Sequence, residues 1–140
     1  MPLPPHVFCD TSFFHATLDP SDAHHREARE LVTEATGRVG LWTTWDIVSE
    51  TVTLLRYRAG YPSALTFVDG LVPRLRLVEY GAEVRAQALD VFRRYSRDHR
   101  LSLCDAISFV VVTTLLERMP CFAFDEDFRR LGLTVILTDG

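Results

Sequence analysis

The segment His6-Val-Phe-Cys-Asp-Thr-Ser-Phe13 decides the fold, because its pattern changes from strand to helix at one acidic residue. The run 6–9 is mostly apolar and is typical of a buried strand. The strand ends at Asp10, and we expect a short helix from Ser12. A strand that leads directly into a helix indicates an α/β domain.

The same alternation of short apolar runs and amphipathic stretches continues along the chain, without a repeat or a linker. Strands separated by helices need crossover connections, which favour a mainly parallel sheet covered on both faces. We therefore predict one α/β domain over residues 1–140, with a sheet of about five strands. The predicted strands after the first are 40–43, 75–80, 121–124 and 133–137.

Two helix starts carry capping signals. Asp19 followed by Pro20 predicts an N-cap and a first helical residue, and Gly37 predicts the end of that helix. Ser102 and Asp105 have the spacing of a capping box. The helix that this box opens is so apolar that we expect it to be buried on most sides.

The composition bounds the class of protein. With 140 residues, 47% hydrophobic and 24% charged, the chain is large enough to form a core without disulfides or a structural metal. Its longest nearly apolar run, 106–116, is too short to span a bilayer. The first residues have neither a basic segment nor a long apolar stretch, so we expect no secretory signal and a cytoplasmic protein.

The cysteines Cys9, Cys104 and Cys121 lie far apart in apolar surroundings. An odd number at these spacings argues against a disulfide framework and against a Cys-x-x-Cys metal or redox motif. We interpret them as small buried residues, with a catalytic thiol as the alternative.

The charge of the chain limits how it binds nucleic acid. The net charge is −4, which argues against a general basic coat. All 15 residues counted as Lys or Arg are arginines, so a P-loop lysine and a Schiff-base lysine are both excluded. A local basic cluster at a predicted helix end comprises Arg93, Arg94, Arg97, His99 and Arg100. Its arginines either contact RNA phosphates or stabilise the helix dipole.

Four acidic residues stand at positions from which side chains reach a common edge of the predicted sheet. Asp10 and Asp125 each follow a predicted strand, and Asp105 lies in the first turn of the buried helix. Glu50 lies on the border between the apolar and polar faces of the helix after the second strand. Because ligand sites of parallel sheets lie beyond the carboxyl ends of the strands, we expect these acids to meet in one cleft.

Each acid alone has a purely structural alternative. Asp10, Asp105 and Asp125 are placed to cap helices, and Glu50 is typical of a solvated helix glutamate. The group is harder to explain, because like charges ~4 Å apart at an effective dielectric of ~20 repel by about 4 kcal/mol per pair. A cation would offset this repulsion, and ligands that are all oxygen favour Mg²⁺ or Mn²⁺ over Zn²⁺. Such an ion promotes hydrolysis of a phosphodiester.

These motifs resemble the PIN domain, in particular the short VapC-type toxins of prokaryotic toxin–antitoxin pairs. The resemblance extends from Val7 to about Leu137. It depends on the order and spacing of four motifs, which are Asp-Thr-Ser at 10–12, Ser-Glu at 49–50, Leu-Cys-Asp-Ala at 103–106 and Phe-Asp-Glu-Asp-Phe at 124–128. It implies a Rossmann-like α/β/α sandwich and a Mg²⁺- or Mn²⁺-dependent endoribonuclease that hydrolyses RNA with metal-activated water.

The resemblance also implies roles for the acids. The catalytic and metal-binding set is Asp10, Glu50, Asp105 and Asp125. In that set Asp10 and Asp105 are the main metal ligands. Glu50 binds a second ion or orients the water, and Asp125 ligates through water unless Asp127 takes that place.

Further implications concern support and partners. A hydroxyl residue beside the first acid, Thr11 or Ser12, helps to hold it. The implied assembly is a homodimer with a cognate VapB-like antitoxin, which often blocks the site with an inserted arginine. The segment 57–71 is expected to form part of a groove for that partner.

Two other readings of the sequence remain open. A DNA-directed nuclease on the same fold would need arched insertions, for which the chain is too short. A non-catalytic PIN scaffold or a receiver-like signalling domain is the alternative outside enzymes, although a receiver would need a lysine that the chain lacks. His24 and His25 lie near a helix start with no third metal ligand in view, and we interpret them as exposed helix residues.

Overall fold

The structure is a computed structural model that describes residues 2–136. Within this range, strands and helices alternate as the sequence predicts. The strands are β1 (His6–Cys9), β2 (Gly40–Thr43), β3 (Arg76–Leu77) and β4 (Cys121–Phe122). The helices are α1 (Thr11–Leu18), α2 (His25–Ala35), α3 (Trp45–Arg58), α4 (Tyr61–Thr66), α5 (Ala82–Tyr95), α6 (Leu103–Thr114) and α7 (Glu126–Arg130).

The strands form one parallel sheet in the order β3-β2-β1-β4. Val7 in β1 lies opposite Leu41 in β2, and Phe8 lies opposite Cys121 in β4. The central position of β1 places the residue after it, Asp10, in the middle of the carboxyl edge. The predicted parallel α/β architecture is therefore confirmed.

The sheet is smaller than the predicted five strands. Among residues 2–136, the last predicted strand contributes only an isolated parallel bridge between Cys121 and Val135. Leu137, its predicted last residue, lies outside the described residues. The predicted strand 75–80 is reduced to β3. Tyr80 leaves the sheet, and its hydroxyl donates to Asp46 Oδ2 at a distance of 2.5 Å.

The predicted start of the first long helix is wrong. Asp19 caps no helix N-terminus there, because its Oδ1 accepts from the backbone N–H and the hydroxyl of Ser21, at 3.0 and 2.7 Å. These bonds close a turn, and α2 begins only at His25, after the N-cap residue His24. The end of α2 is close to prediction, since Gly37 follows with a φ of +81°.

The capping box at α6 is confirmed. The Ser102 hydroxyl accepts from the Asp105 N–H at 3.0 Å, and the Asp105 carboxylate accepts from the Ser102 N–H at 3.1 Å. Residues 105–108 and 110–112 of α6 are buried, so the helix is buried on most sides, as its apolar composition predicts. The box fixes the carboxylate of Asp105 at the first turn of this helix.

The core lies on both faces of the sheet. Helices α1 to α4 contact one another in one group, and α5 packs on α6 in a second. Phenylalanines supply much of the interior, and Phe13 meets Phe122 with ring centroids 4.8 Å apart. No helix among residues 2–136 has the length and apolar character needed to cross a membrane.

Candidate active site at the carboxyl edge of the sheet

A cavity of about 360 Å³ opens beyond the carboxyl ends of the strands. Asp10, Glu50, Asp105 and Asp125 all line it, although they are far apart in the sequence. A cavity of similar volume, about 370 Å³, lies at the amino edge and is lined by Arg38, Arg74 and Arg76 without any acid. The two cavities differ in chemistry and not in size, and the acidic cavity is the one that matches the predicted site.

Asp10 is the N-cap of α1 and is 2% exposed. Its Oδ2 accepts from the Ser12 N–H at 3.1 Å and from the Ser12 hydroxyl at 2.7 Å. Asp10 therefore does cap a helix, as its structural alternative predicts. The same bonds fix its carboxylate in the wall of the cavity.

Ser12 joins two distant segments of the chain. Besides donating to Asp10, its Oγ accepts from the N–H of Phe124 at 2.9 Å and from that of Asp125 at 3.3 Å. Of the two hydroxyl residues considered, it is thus Ser12 that holds the first acid. The hydroxyl of Thr11 is buried and has no hydrogen-bond partner among the described residues.

A second group of acids lies where α6 and α7 begin. Asp125 is the N-cap of α7, and its Oδ1 accepts from the Asp127 N–H at 2.9 Å. Asp105, Asp125 and Asp127 each offer a carboxylate oxygen, and these oxygens lie within 4.8 Å of one another. Asp127 does not line the acidic cavity itself, but it belongs to this cluster.

Glu50 reaches the cavity from α3 and is exposed. Its position on the border of the helix faces agrees with the sequence prediction. Burial, followed by the charge of Glu50, raises the pKa of the Cys104 thiol far above its ordinary value. Burial also raises the pKa of Cys9 and raises that of Cys121 to about 12.

The cysteines are therefore thiols and not thiolates at neutral pH. All three are free, Cys9 and Cys121 are buried, and Cys104 is half-buried. A catalytic cysteine needs a lowered pKa and an accessible sulfur. The alternative of a catalytic thiol is not supported, and the interpretation as small interior residues stands.

The pKa values of Asp10, Asp105 and Asp125 in the site are raised by burial and by the negative charge of their neighbours. Burial, and then the charge of Asp105, raises the pKa of Asp10 from 3.8 to about 7. Burial and the charges of Asp125 and Glu50 raise the pKa of Asp105 to about 6, against the hydrogen bonds from Ser102. Burial is also the main cause that raises the pKa of Asp125. For Asp10 and Asp105, burial and neighbouring acids thus outweigh the groups that stabilise the charged carboxylate.

The donor set fits a hard divalent cation. All candidate ligand atoms are carboxylate oxygens, and three acids already present oxygens within 4.8 Å of one another. Mg²⁺ and Mn²⁺ are bound in proteins by such oxygens, together with water. The raised pKa values of Asp10 and Asp105 give the same indication, because a bound cation would stabilise the charged form of both groups.

The raised pKa values predict how stability depends on pH in the absence of metal. The folded chain retains protons on Asp10 and Asp105 that the unfolded chain releases above about pH 4. The contribution of these two groups to the free energy of unfolding is thus fully present below that pH, and it is lost as the pH rises through about 6 to 7. In EDTA, we expect the free energy of unfolding from urea titrations to fall between pH 5 and pH 7.5, in steps of ~0.5 pH unit.

Two controls belong to this measurement. The Asp10→Asn variant should show a clearly flatter pH profile, because its side chain does not ionise. Added Mg²⁺ should raise the melting temperature of the wild type more at pH 7.5 than at pH 5, since the ion competes with protons for the same oxygens. A wild-type profile that rises across this range would contradict the prediction.

Sequence reasoning missed His15 at the cavity wall. Its ring lies between two acids, with Nε2 3.1 Å from Asp19 Oδ2 and Nδ1 3.1 Å from Asp22 Oδ2. The available signal was the spacing of four residues from Thr11, which places both on one helix face directly after Asp10. Arg58 was missed too, and nothing in the sequence distinguishes it from other arginines on α3.

The basic cluster predicted to contact RNA lies elsewhere. Arg93, Arg94, Arg97 and Arg100 are all exposed, and none of them lines the acidic cavity. Arg93 pairs with Asp90 at 2.8 Å. An RNA contact by these arginines remains a prediction.

The two histidines near the start of α2 differ from each other. His24 is exposed, as expected. His25 is half-buried and its Nδ1 lies 2.7 Å from the carbonyl oxygen of Ala16, so the interpretation as an exposed residue is wrong for it. His24 also lines the acidic cavity.

Comparison with known proteins agrees with this geometry. The profile of the PIN domain matches residues 7–133. The chain therefore belongs to the PIN domain family. Within that family it is a VapC-type toxin, as the resemblance of its motifs implied and as its relatives indicate.

Two of these relatives are named as nucleases. A VapC ribonuclease of Archaeoglobus fulgidus is 32% identical over 123 residues, which cover 85% of this chain and 76% of that protein. The 23S rRNA-specific endonuclease VapC20 of Mycobacterium tuberculosis is 30% identical over 131 residues, which cover 93% of this chain and 97% of that protein. The predicted enzyme class, an endoribonuclease, is confirmed.

Solved structures give the same fold. The crystal structure of Mycobacterium tuberculosis VapC20, described as a toxin that cleaves the sarcin–ricin loop, has a TM-score of 0.81 at 28% identity. The match covers 94% of this chain and 99% of that chain. VapBC2 of Rickettsia felis, bound to a DNA fragment from its promoter, has a TM-score of 0.62 at 10% identity and shares the fold.

Proposed function

We propose that this chain is a Mg²⁺- or Mn²⁺-dependent toxin that hydrolyses a phosphodiester of ribosomal RNA in the cytoplasm. The observation that carries the proposal is the acidic cavity, where Asp10, Glu50, Asp105 and Asp125 meet at the carboxyl edge of the sheet. The ribosomal target is suggested by the relative named as specific for 23S rRNA.

The side chains of the cavity would have different roles in the reaction. Asp10 and Asp105 would be the principal ligands of the cation, and Asp125 or Asp127 would complete its environment from the start of α7. When bound, a divalent cation supplies Lewis acidity, which favours deprotonation of water and neutralises charge on the phosphoryl group. Glu50, which is exposed, would orient the attacking water or hold a second ion.

Arg58 would contribute on the substrate side. It is the arginine that lines the acidic cavity, and it forms no ion pair among residues 2–136. A guanidinium binds phosphate oxygens in a fixed geometry. We assign Arg58 to the phosphate next to the one that is cut, where it would hold the RNA backbone without occupying the cation site.

The proposal includes a VapB-like antitoxin and a homodimer. A groove of about 410 Å³ between α3 and α4 is largely apolar and includes Tyr57 and Tyr61, which are 86% and 56% exposed. It overlaps the segment 57–71, where the sequence resemblance implied a partner groove, and extends to Val52, Thr53 and Arg56. An apolar helix of the antitoxin would bury these tyrosines and bring an arginine toward the acids.

Cleavage assays test this function. Purified protein should cut RNA in intact ribosomes or in 23S rRNA with Mg²⁺ or Mn²⁺ and stop in EDTA, and sequencing of the new ends should map to few positions. Duplex DNA under the same conditions should remain intact. Efficient cutting of DNA would favour the alternative nuclease, and inactivity on every RNA with either metal would favour a non-catalytic scaffold.

A further inference from the structure

We propose that His24 and Phe124 form a stacking site for an unpaired RNA base next to the phosphodiester that is cut. The imidazole of His24 lies flat on the Phe124 ring, with centroids 4.5 Å apart and planes only 4° apart. The inference rests on the proposed function, because it assumes an RNA strand in the acidic cavity.

The stack is anchored in the core. Phe124 lies over Phe13 with ring centroids 6.4 Å apart and planes 26° apart, and Phe13 is fully buried against Phe122. The backbone N–H of Phe124 donates to the Ser12 hydroxyl at 2.9 Å, which fixes the segment that carries the ring. A platform held in this way needs little ordering when a ligand binds.

His24 is the outer ring of the stack, and among the described residues its imidazole takes part in no helix cap or hydrogen bond. The residue is exposed, and its position before α2 involves no side-chain capping bond. Its backbone N–H donates to Asp22 Oδ1 at 2.8 Å, but the imidazole forms no hydrogen bond within residues 2–136. Since Phe124 covers one face of the imidazole, the opposite face is available for a further aromatic layer.

The location of the stack connects it to the chemistry. His24, Phe124 and Asp125 line both the acidic cavity and a neighbouring cavity of about 190 Å³. A strand with its reacting phosphate at the acids would therefore place an adjacent base at His24. Stacking on exposed aromatic rings is how proteins hold unpaired RNA bases, and such bases occur in loops.

The walls of the neighbouring cavity suggest which bases fit. Glu27, Glu126 and Arg129 line it together with the stack. Carboxylates only accept hydrogen bonds, so a base beside them would present a donor, either an exocyclic amino group or a ring N–H. Arg129 would bind the phosphate or carbonyl oxygen of the same nucleotide.

The test combines protein variants with altered substrates. On a short RNA that carries the cleaved sequence, His24→Ala should lower kcat/KM by ~5- to 150-fold, which corresponds to the loss of one stacked base. His24→Phe should retain most of the activity because it keeps an aromatic face. Glu34→Ala, at an exposed position of α2 outside the acidic cavity, should cleave like the wild type.

Substrates with a single abasic nucleotide then locate the base. In the wild type, one abasic position beside the cleaved bond should cause a loss similar to that of His24→Ala. The His24→Ala variant should lose little more on that substrate, because the interaction is already absent. If the loss caused by His24→Ala and the loss caused by the abasic nucleotide multiply at every abasic position, the proposal is wrong. Equal losses of activity in His24→Ala and His24→Phe would also overturn it.

The outcome also separates this inference from the proposed function. If the wild type cuts RNA with Mg²⁺ and folded His24→Ala cuts it equally well, the stacking site is wrong and the nuclease assignment stands. If the wild type cuts no RNA, both are wrong. Melting temperatures of the variants distinguish a lost contact from a lost fold.

Discussion

Replacing Asp10 with asparagine will slow RNA cleavage by about 10³-fold, which corresponds to ~4 kcal/mol of lost transition-state stabilisation. Asp10 is the central acid of the cavity, and asparagine keeps its size but removes its charge. Single-turnover cleavage at saturating Mg²⁺ measures the effect. The same variant should show a weaker rise in melting temperature when Mg²⁺ or Mn²⁺ is added.

The fold should survive this change. Asparagine retains an acceptor oxygen for the Ser12 N–H and hydroxyl, which now donate to Asp10. Since burial disfavours the charged carboxylate, the variant should be at least as stable as the wild type at pH 7. Asp69→Asn is the matched control, because Asp69 is exposed and outside the acidic cavity. Full Mg²⁺-dependent activity in pure Asp10→Asn would contradict the assignment.

Replacing Ser12 with alanine should have the second-largest effect, a loss of ~10- to 100-fold in activity. The hydroxyl donates to Asp10 and accepts from Phe124 and Asp125, so its removal frees both acids from a shared anchor. Because Ser12 acts by positioning, the Mg²⁺ concentration at half-maximal activity should rise. The variant should also lose ~1–3 kcal/mol of stability, because the backbone N–H groups of Phe124 and Asp125 lose their acceptor.

Ser21→Ala offers an unusually close control. Ser21 makes the same pair of bonds to Asp19, through its N–H at 3.0 Å and its hydroxyl at 2.7 Å, but links no second segment. The two variants thus remove one local Ser–Asp bond each, and only Ser12→Ala also removes the bonds that join α1 to the segment after β4. If both variants leave the Mg²⁺ dependence unchanged, the positioning role of Ser12 is wrong.

Much of the fold followed from local patterns in the sequence. The apolar run before Asp10 and the Ser102–Asp105 box each specify an element without help from the rest of the chain. The start of α2 did not follow, because Asp19 forms a turn with Ser21 and pairs with His15, and both contacts compete with helix capping. The short β3 depended on Tyr80, whose bond to Asp46 spans 34 residues.

The candidate site was predictable in its acids but not in its supports. Carboxylates that follow apolar strands are visible in the sequence, since parallel strands share a carboxyl edge. The bond from Phe124 to Ser12 spans 112 residues and leaves no local pattern. The flat contact between His24 and Phe124 is equally invisible, because it arises only when α2 and β4 are in place.

The bond between Ser12 and the Asp125 N–H has a consequence for the order in which the protein gains activity during its synthesis. The two residues are 113 positions apart. A nascent chain that has not yet been translated through residue 125 lacks both the anchor and an acid of the proposed site, so by this proposal it would be inactive while it is being made. By the same proposal, competence to cleave would arise only after α3 and α4 have been made, so that an antitoxin could occupy their groove before the site is complete.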